Sequence, residues 1–128
     1  MKINFKSYGE GKPVVILHGL LGSLDNWVSL SKTLSSTYKI IILDLPNHGK
    51  SYHTTEFSFQ KMAEDLHLFC EKNSLRNISI IGHSMGGKVG IKYADLYPDN
   101  LDKLIVVDIV NKEYSSERFS HVFSAIKM

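Results

Sequence analysis

The chain has 128 residues, of which 43% are hydrophobic and 22% charged, and its 15 basic and 13 acidic side chains leave a formal net charge of +2. These values predict one globular domain over residues 1–128, and the even charge balance argues against a nucleic-acid partner and an anionic membrane surface. The single cysteine, Cys70, excludes an intrachain disulfide. The first residues contain no apolar run of signal-peptide length, so we expect a cytoplasmic protein.

The first half of the chain alternates between strand-like and helix-like patterns. One β-branched run predicts a strand over 13–17 (PVVIL), and a second predicts a strand over 39–46 (KIIILDLP). Continuous apolar runs of this kind are typical of parallel strands that are buried on both faces. Between them a helix is predicted, with Asp25 as its cap. The apolar side chains of this helix recur at helical spacing: Trp27, Leu30 and Leu34.

The second half continues the alternation. An apolar stripe over 59–70 predicts a helix with Ser58 as its N-cap. Strands are predicted over 77–82 (NISIIG) and 103–110 (KLIVVDIV), and a helical stripe over 89–97 separates them. Repeated strand–helix alternation predicts a layered α/β fold with a largely parallel sheet.

After residue 110 the pattern weakens, and we expect a loop followed by a weakly amphipathic helix towards residue 128. No strand is therefore predicted beside 103–110, which would leave one edge of the sheet bare. An unpaired edge is a template for pairing with another chain. We therefore expect self-association, or a complementing C-terminal chain that covers this edge.

The stretch 79–91 (SIIGHSMGGKVGI) admits two interpretations. From Gly82 to Gly86 it reads G-x-S-x-G, which is typical of a serine nucleophile on a sharp strand-to-helix turn. From Gly82 to Lys88 it reads G-x-x-x-x-G-K, the start of a phosphate-binding loop. Such a loop continues with a Ser or Thr that holds Mg²⁺, and Val89 stands there instead. The nucleophile interpretation is therefore favoured.

A nucleophile elbow would place Ser84 at the point where the strand passes into the helix. The turn projects the serine side chain into the crevice at the carboxyl edge of the sheet. Gly82 and Gly86 would leave room for the helix to fold back against the strand. His83 fills the variable position and is expected to pack beside the sheet. The N–H of Met85, at the helix N-terminus, would point at a developing oxyanion.

Four motifs, in chain order, resemble the esterase branch of the α/β-hydrolase superfamily: HGLLGSLDNW, DLPNHGKS, GHSMGG and YPDNLDKLIVVD. The resemblance covers Val14 to about Tyr114, and it is to small bacterial acyl esterases and their eukaryotic relatives. It implies a three-layer α/β/α fold with a mostly parallel sheet. This chain would hold an incomplete α/β-hydrolase fold, without the cap and the C-terminal strands.

The same resemblance assigns an oxyanion loop to the His-Gly pair that ends the first predicted strand. A tetrahedral oxyanion needs two N–H donors, which would be those of Leu20 and Met85. His18 and Gly19 are expected to support this loop rather than to transfer protons.

The resemblance also assigns residues to a turn after the second predicted strand and to the catalytic acid, and it shows where a catalytic base would be expected. Asn47 and His48 match the family segment N-H-G-x-S, although Pro46 replaces the arginine that often precedes it. Asp108 is the implied catalytic acid, and a strand-end Asp that caps a loop is the alternative interpretation. The base is missing, because His121 is the only histidine downstream of the elbow and its terminal position favours an exposed or packing role.

The sequence thus predicts a serine hydrolase that acts on carboxylic esters or thioesters through an acyl-enzyme at Ser84, weak or inactive without its base. The expected substrate is a small-molecule acyl ester. No cofactor is expected, and no pair of histidines has a metal-ligand spacing. A non-catalytic binding or regulatory protein that keeps the elbow is the alternative, and a nucleotide-binding protein is less favoured.

Overall fold

A six-stranded mixed sheet forms the centre of the protein, in a computed structural model that describes residues 2–19, 22–55, 57–107 and 122–126. In chain order the strands are β1 (Phe5–Tyr8), β2 (Pro13–Leu17), β3 (Lys39–Leu43), β4 (Ile78–His83), β5 (Leu101–Val107) and β6 (Val122–Ile126). They lie in the order β1-β3-β2-β4-β5-β6. The four central strands are parallel, whereas β1 and β6 pair antiparallel with β3 and β5. The sheet is therefore mostly parallel, as expected.

Helices connect the parallel strands. The α-helices of the described chain are α1 (Val28–Leu34), α2 (Phe59–Lys72) and α3 (Met85–Leu96), and 3-10 helices cover Leu24–Trp27 and Pro98–Asn100. None of the helices in these ranges is long and apolar enough to cross a bilayer.

Both faces of the sheet are covered by helices, which confirms the three-layer α/β/α architecture. Successive side chains of a strand point to opposite faces. Val15 and Leu17 of β2 accordingly pack in the cluster formed with α2 and α3. Val14 and Ile16 pack in a second cluster on the face of α1. This double burial explains why the strand sequences are continuous apolar runs.

The four predicted strands are all present, with boundaries that differ by a few residues. β2 has the predicted bounds, and β4 continues to His83. β3 ends at Leu43 instead of 46; one further bond, from the Asp44 N–H to the Asn4 carbonyl at 2.9 Å, continues its pairing before the turn that begins at Pro46. β5 begins at Leu101 instead of 103, and the predicted strand positions 108–110 lie outside the described residues.

One of the two predicted helix caps is confirmed. The Ser58 hydroxyl accepts a hydrogen bond from the Lys61 N–H at 3.0 Å and caps α2. The expectation for Asp25 is wrong, because a 3-10 helix precedes α1 and moves the cap to Ser23. The Ser23 hydroxyl accepts from the Asp25 N–H at 3.3 Å, while the Asn26 side chain accepts from the Ser23 N–H at 3.0 Å.

The two edge strands were not among the predicted elements. β1 has an exposed, alternating sequence (FKSY) rather than an apolar run. β6 lies in the segment where a weakly amphipathic helix was expected, and it pairs along β5 from Val107↔Val122 to Lys103↔Ile126. The edge of β5 is therefore not bare, which corrects that expectation. Strand pairing has overridden a weak local helical pattern.

Truncation of an isoleucine to alanine should lower the free energy of unfolding more at a buried position than at an exposed one. Ile80, at the centre of β4, is fully buried, whereas Ile91 of α3 is 55% exposed. Ile80→Ala should lower the free energy of unfolding by about 2–5 kcal/mol, and Ile91→Ala should change it by less than about 0.5 kcal/mol. Urea unfolding followed by far-UV circular dichroism measures both, and equal losses would show that the layers are packed differently.

Candidate active site

Ser84 lies between β4 and α3, in a backbone conformation that is unusual for a residue with a side chain. Its φ is 55° and its ψ is −113°. The Ser84 N–H donates to the Val107 carbonyl at 2.9 Å, and its carbonyl accepts from the N–H groups of Gly87 and Lys88 at 2.9 and 3.2 Å. A positive φ at a non-glycine residue is strained and persists only where its surroundings hold it. These bonds hold the Ser84 side chain in an exposed position at the carboxyl edge of the parallel strands.

Two glycines allow α3 to approach the strands that precede it. A Cβ atom built on Gly82 would lie 2.5 Å from the carbonyl oxygen of Gly86. A Cβ atom built on Gly86 would collide with the backbone carbonyl oxygen of Leu17 and lie 2.7 Å from that of His18. Because the obstructing atoms belong to the backbone, they cannot rotate away. The first turn of α3 therefore packs directly on the ends of β2 and β4.

Met85 is the first residue of α3, so its N–H has no acceptor within the helix. Its side chain is buried. The position next to Ser84, at the positive end of the helix dipole, suits a donor for an anionic oxygen. Leu20, the other expected donor, lies outside the described residues.

Gly19 brings the loop after β2 into contact with the elbow. A Cβ atom on Gly19 would lie 3.3 Å from the Ser84 Cβ and 2.9 Å from the His83 Nδ1, so the loop backbone packs against both side chains. His18 is fully buried beneath it. The His18 Nδ1 lies 2.7 Å from the Gly19 carbonyl oxygen, and its Nε2 accepts from the Leu45 N–H at 2.9 Å. Burial lowers the pKa of His18, against the opposing effect of the hydrogen bond to Gly19.

His83 is the last residue of β4 and is half-buried. Its ring packs edge-on against the ring of Trp27, with centroids 5.8 Å apart. The indole N–H of Trp27 is buried and has no hydrogen-bond partner among the described residues. This pair therefore lies next to Ser84 on the face of the sheet that α1 covers.

Asn47 and His48 build the turn that follows β3. Asn47 has a φ of 68°, and its side-chain oxygen accepts from the Thr54 N–H at 2.7 Å. The His48 Nδ1 lies 3.0 Å from the Pro46 carbonyl oxygen, and its ring lies 5.0 Å from the ring of His18. The turn therefore packs against His18 through the His48 ring, and both side chains hold the backbone of the turn in place.

Asp44 is a buried carboxylate whose importance the sequence did not reveal. It accepts hydrogen bonds from the Asn4 side chain at 2.8 Å and from the N–H groups of Leu24 and Lys50 at 2.8 and 2.9 Å. Burial alone would raise the pKa of Asp44, but these three hydrogen bonds outweigh it and lower the pKa. Asp44 thus ties together the N-terminal segment, the helix entry after the Gly19 loop and the turn after β3. Its only sequence signal is its position at a strand end.

The expected acid and the only downstream histidine lie outside the described residues, at Asp108 and His121. Within the described ranges no hydrogen bond reaches the Ser84 hydroxyl. The buried histidines of the described ranges, His18 and His48, are bonded to backbone groups instead. The part of the chain that the structure describes therefore brings the exposed Ser84 side chain to the N-terminus of α3 at Met85, with no histidine bonded to the serine hydroxyl.

The phosphate-loop interpretation does not fit this geometry. A phosphate loop wraps its residues between strand and helix around the anion, but here Gly82 belongs to β4 and Gly86 to Lys88 belong to α3. Val89, in the position of the Mg²⁺-binding hydroxyl, is fully buried. In the described ranges no three His, Cys, Asp or Glu side chains form a group that could hold a metal ion.

Two clefts lie away from the elbow. The larger, about 510 Å³, lies between the C-terminal ends of α2 and α3 and is lined by Cys70 and Tyr97 among others. The second, about 420 Å³, lies between β1 and α2. Neither of these two clefts is lined by Ser84, whose side chain is exposed.

Comparison with known proteins supports this assignment of the fold. A family model described as the alpha/beta hydrolase fold matches residues 12–124. The chain is 35% identical to esterase YbfF of Escherichia coli over 131 residues, which cover 98% of this chain and 52% of that protein. It is 36% identical to the sn-1-specific diacylglycerol lipase ABHD11 of Danio rerio over 121 residues, which cover 93% of this chain and 38% of that protein.

A solved structure agrees with the sequence matches. The structure of a marine microorganism esterase superposes with a TM-score of 0.83 at 39% sequence identity, over 91% of this chain and 48% of that one. These matches confirm the fold and the family resemblance implied by the four motifs. The chain spans between 38% and 52% of the length of these three proteins.

Alanine substitutions at two glycines of α3 test how closely the helix approaches the sheet at Gly86. A Cβ at Gly86 meets backbone oxygens, whereas a Cβ at Gly90 meets the side-chain ends of Leu104 and Ile80, which can rotate. Gly86→Ala should therefore lower the free energy of unfolding by about 1–3 kcal/mol. Gly90→Ala should cost less, because the better helix propensity of alanine, about 1 kcal/mol, offsets the crowding. Thermal unfolding compares the two, and a greater loss for Gly90→Ala would refute the packing described here.

The lowered pKa of Asp44 predicts a pH-dependent contribution to stability. The carboxylate stabilises the fold above its unfolded-state pKa of about 3.9, and this stabilisation is lost as the pH falls through the lower folded-state pKa. Asp44→Asn should cost about 1.5–3 kcal/mol at pH 7, because an amide cannot accept all three hydrogen bonds. The difference from wild type should narrow below pH 4.

Urea unfolding at pH 7, 4 and 3 measures the effect of Asp44→Asn. Asp25→Asn is the matched control, since it removes the same charge from an exposed side chain and should cost little at any of these pH values. If the loss in free energy of unfolding for Asp44→Asn stayed constant from pH 7 to 3, titration of Asp44 would not contribute to the pH dependence of stability.

Proposed function

The chain belongs to the α/β hydrolase fold family, and on this premise we propose that it carries the nucleophile of a serine hydrolase that cleaves carboxylic esters or thioesters. Two of its relatives are named as an esterase and a lipase. The chain covers only part of the length of these relatives. The activity of a whole protein that contains this chain is therefore itself a proposal. Its expected substrate is a small-molecule acyl ester.

The observation that carries the proposal is the backbone of Ser84. Holding a non-glycine residue at a positive φ costs about 1–3 kcal/mol, and glycine would remove most of that strain. The conformation turns the serine hydroxyl outward at the edge of the sheet. A nucleophile needs this exposure, because it must reach a substrate carbonyl while the helix N-terminus points at the same place.

The proposed reaction begins when the Ser84 Oγ attacks the carbonyl carbon and its proton passes to a base. The carbonyl electron pair moves onto oxygen and forms a tetrahedral oxyanion, which the N–H groups of Met85 and Leu20 would stabilise. Collapse of this intermediate expels the alcohol or thiol, which takes up the proton, and leaves an acyl-enzyme on Ser84. A water molecule then attacks the acyl carbon and releases the carboxylic acid.

The proposed acid is Asp108. None of the described histidines is bonded to Ser84, so no base is assigned among them. Loss of the base removes most of the acceleration, while the oxyanion donors and binding leave about 10³-fold over water. We therefore expect slow turnover by this chain alone, and a complementing C-terminal chain would restore it.

A non-catalytic protein that keeps the elbow for its shape is the alternative. It would have no need for a hydroxyl at a strained, exposed position, so the Ser84 geometry favours the enzyme. Nucleotide binding is disfavoured because the residues of the would-be phosphate loop belong to β4 and α3.

Acylation of the chain tests the proposal directly. Incubation with excess p-nitrophenyl acetate should give a single acetyl adduct that maps to Ser84, and the adduct should accumulate because deacylation also needs the base. Intact-protein mass spectrometry with peptide mapping measures it. Ser84→Ala should lose the adduct, whereas Ser36→Ala, which removes an exposed serine from a turn, should keep it. An adduct that survives in Ser84→Ala would rule out Ser84 as the nucleophile.

A further inference from the structure

Lys88, the lysine that made 82–88 resemble a phosphate loop, has no part in the elbow itself. It is exposed in the first turn of α3, on the same side of the helix as Ser84, while residues 85–87 between them are buried. The Lys88 N–H donates to the Ser84 carbonyl at 3.2 Å. Side chains four residues apart are neighbours on a helix surface, and helical Cα–Cβ bonds tilt towards the N-terminus. The Lys88 side chain therefore leans towards the turn that carries Ser84.

An aromatic ring fixes the position of this cation. The ammonium nitrogen of Lys88 lies over the ring of Phe59, 5.8 Å from its centroid. Phe59 is the first residue of α2 and packs in part against the core. The face of an aromatic ring attracts a cation but does not neutralise it. The positive charge of Lys88 is therefore held between the first turns of α2 and α3.

The charge of Lys88 is not offset by a carboxylate among the described residues, where it takes part in no salt bridge. Lys92, one turn further along α3, lies 3.9 Å from Asp95. The first turns of α2 and α3 contain no acidic residue. The N-termini of the two helices are the positive ends of their dipoles and add to the charge of the ammonium. This part of the surface therefore favours an anion over a neutral group.

We propose that Lys88 is a specificity-determining residue that favours substrates with a carboxylate at the end of a short acyl chain. This inference rests on the proposed function, because it takes Ser84 as the group that attacks the ester. The ester carbonyl would lie at the serine, and the carboxylate would lie near the ammonium, about one helical turn away. Lys88 contacts the anionic end of the substrate and takes no part in breaking the ester bond.

Two p-nitrophenyl esters of equal chain length test the preference for an anion. Mono-p-nitrophenyl adipate ends in a carboxylate, whereas p-nitrophenyl hexanoate ends in a methyl group. The measured quantity is the ratio of their second-order rate constants for acylation of Ser84, from p-nitrophenolate release with the adduct mapped by mass spectrometry. We expect this ratio to fall about threefold in Lys88→Gln and about tenfold in Lys88→Glu, because one exposed charge pair is a modest interaction and charge reversal turns attraction into repulsion.

Lys92→Gln is the matched control, since it removes the same charge from the same helix. Lys92 is about 12 Å from Ser84 along the helix axis, beyond the Debye length of about 8 Å at 0.15 M ionic strength. The adipate-to-hexanoate ratio of Lys92→Gln should therefore stay close to that of wild type. Equal ratios in Lys88→Gln and Lys92→Gln would overturn the assignment of Lys88.

Amide chemical shifts give a readout that needs no reaction at Ser84. Titration of the ¹⁵N-labelled chain with monomethyl adipate, an anion, should shift the amides of residues 85–88 more than titration with neutral dimethyl adipate. Monomethyl adipate should bind about threefold more weakly to Lys88→Gln than to Lys92→Gln. If neither p-nitrophenyl ester acylates Ser84 in wild type, the proposed function fails, and the titration still decides whether Lys88 recognises an anion. Equal binding by the two variants would contradict that recognition.

Discussion

The N-terminus of α3 approaches the ends of β2 and β4 so closely that a Cβ atom at Gly82 or Gly86 would overlap backbone atoms. This contact places Ser84 in its strained conformation and exposes its hydroxyl. It also brings the loop at Gly19 against the Ser84 Cβ. Ser84, the helix N-terminus and the loop after β2 therefore meet at one place because two glycines allow it. A bulkier residue at either position would have to separate the helix from the sheet.

A second set of contacts supports this arrangement from below. His18 joins the end of β2 to the chain after β3 through its bonds to Gly19 and Leu45. Asp44 joins the same segment to Leu24, where the loop after Gly19 enters its helix. Both side chains are buried, and both satisfy backbone groups that have no partner in the sheet or helices. The edge of the sheet is therefore a connected polar framework rather than a set of independent loops.

The sequence indicated much of this protein because its strongest signals are local. The β-branched runs, the helical stripe of α2 and its Ser58 cap depend on neighbours in the chain, and all appear as expected. The edge strands β1 and β6 were missed because their pairing is decided by distant partners. Asp44 was missed as a support of the site because its three donors come from distant parts of the chain. The cap at Ser23 was misplaced because a 3-10 turn, which has no strong periodic signal, precedes α1.

The central claim is that the first turn of α3 presents both the nucleophile and an oxyanion donor. A crystal structure of the chain with a bound alkylboronic acid tests it most directly, since the tetrahedral boronate imitates the acyl-transfer intermediate. We expect boron bonded to the Ser84 Oγ, with one boronate oxygen about 2.7–3.1 Å from the Met85 nitrogen. Boron on another side chain, or a boronate on Ser84 whose oxygens all point away from the Met85 N–H, would contradict the account.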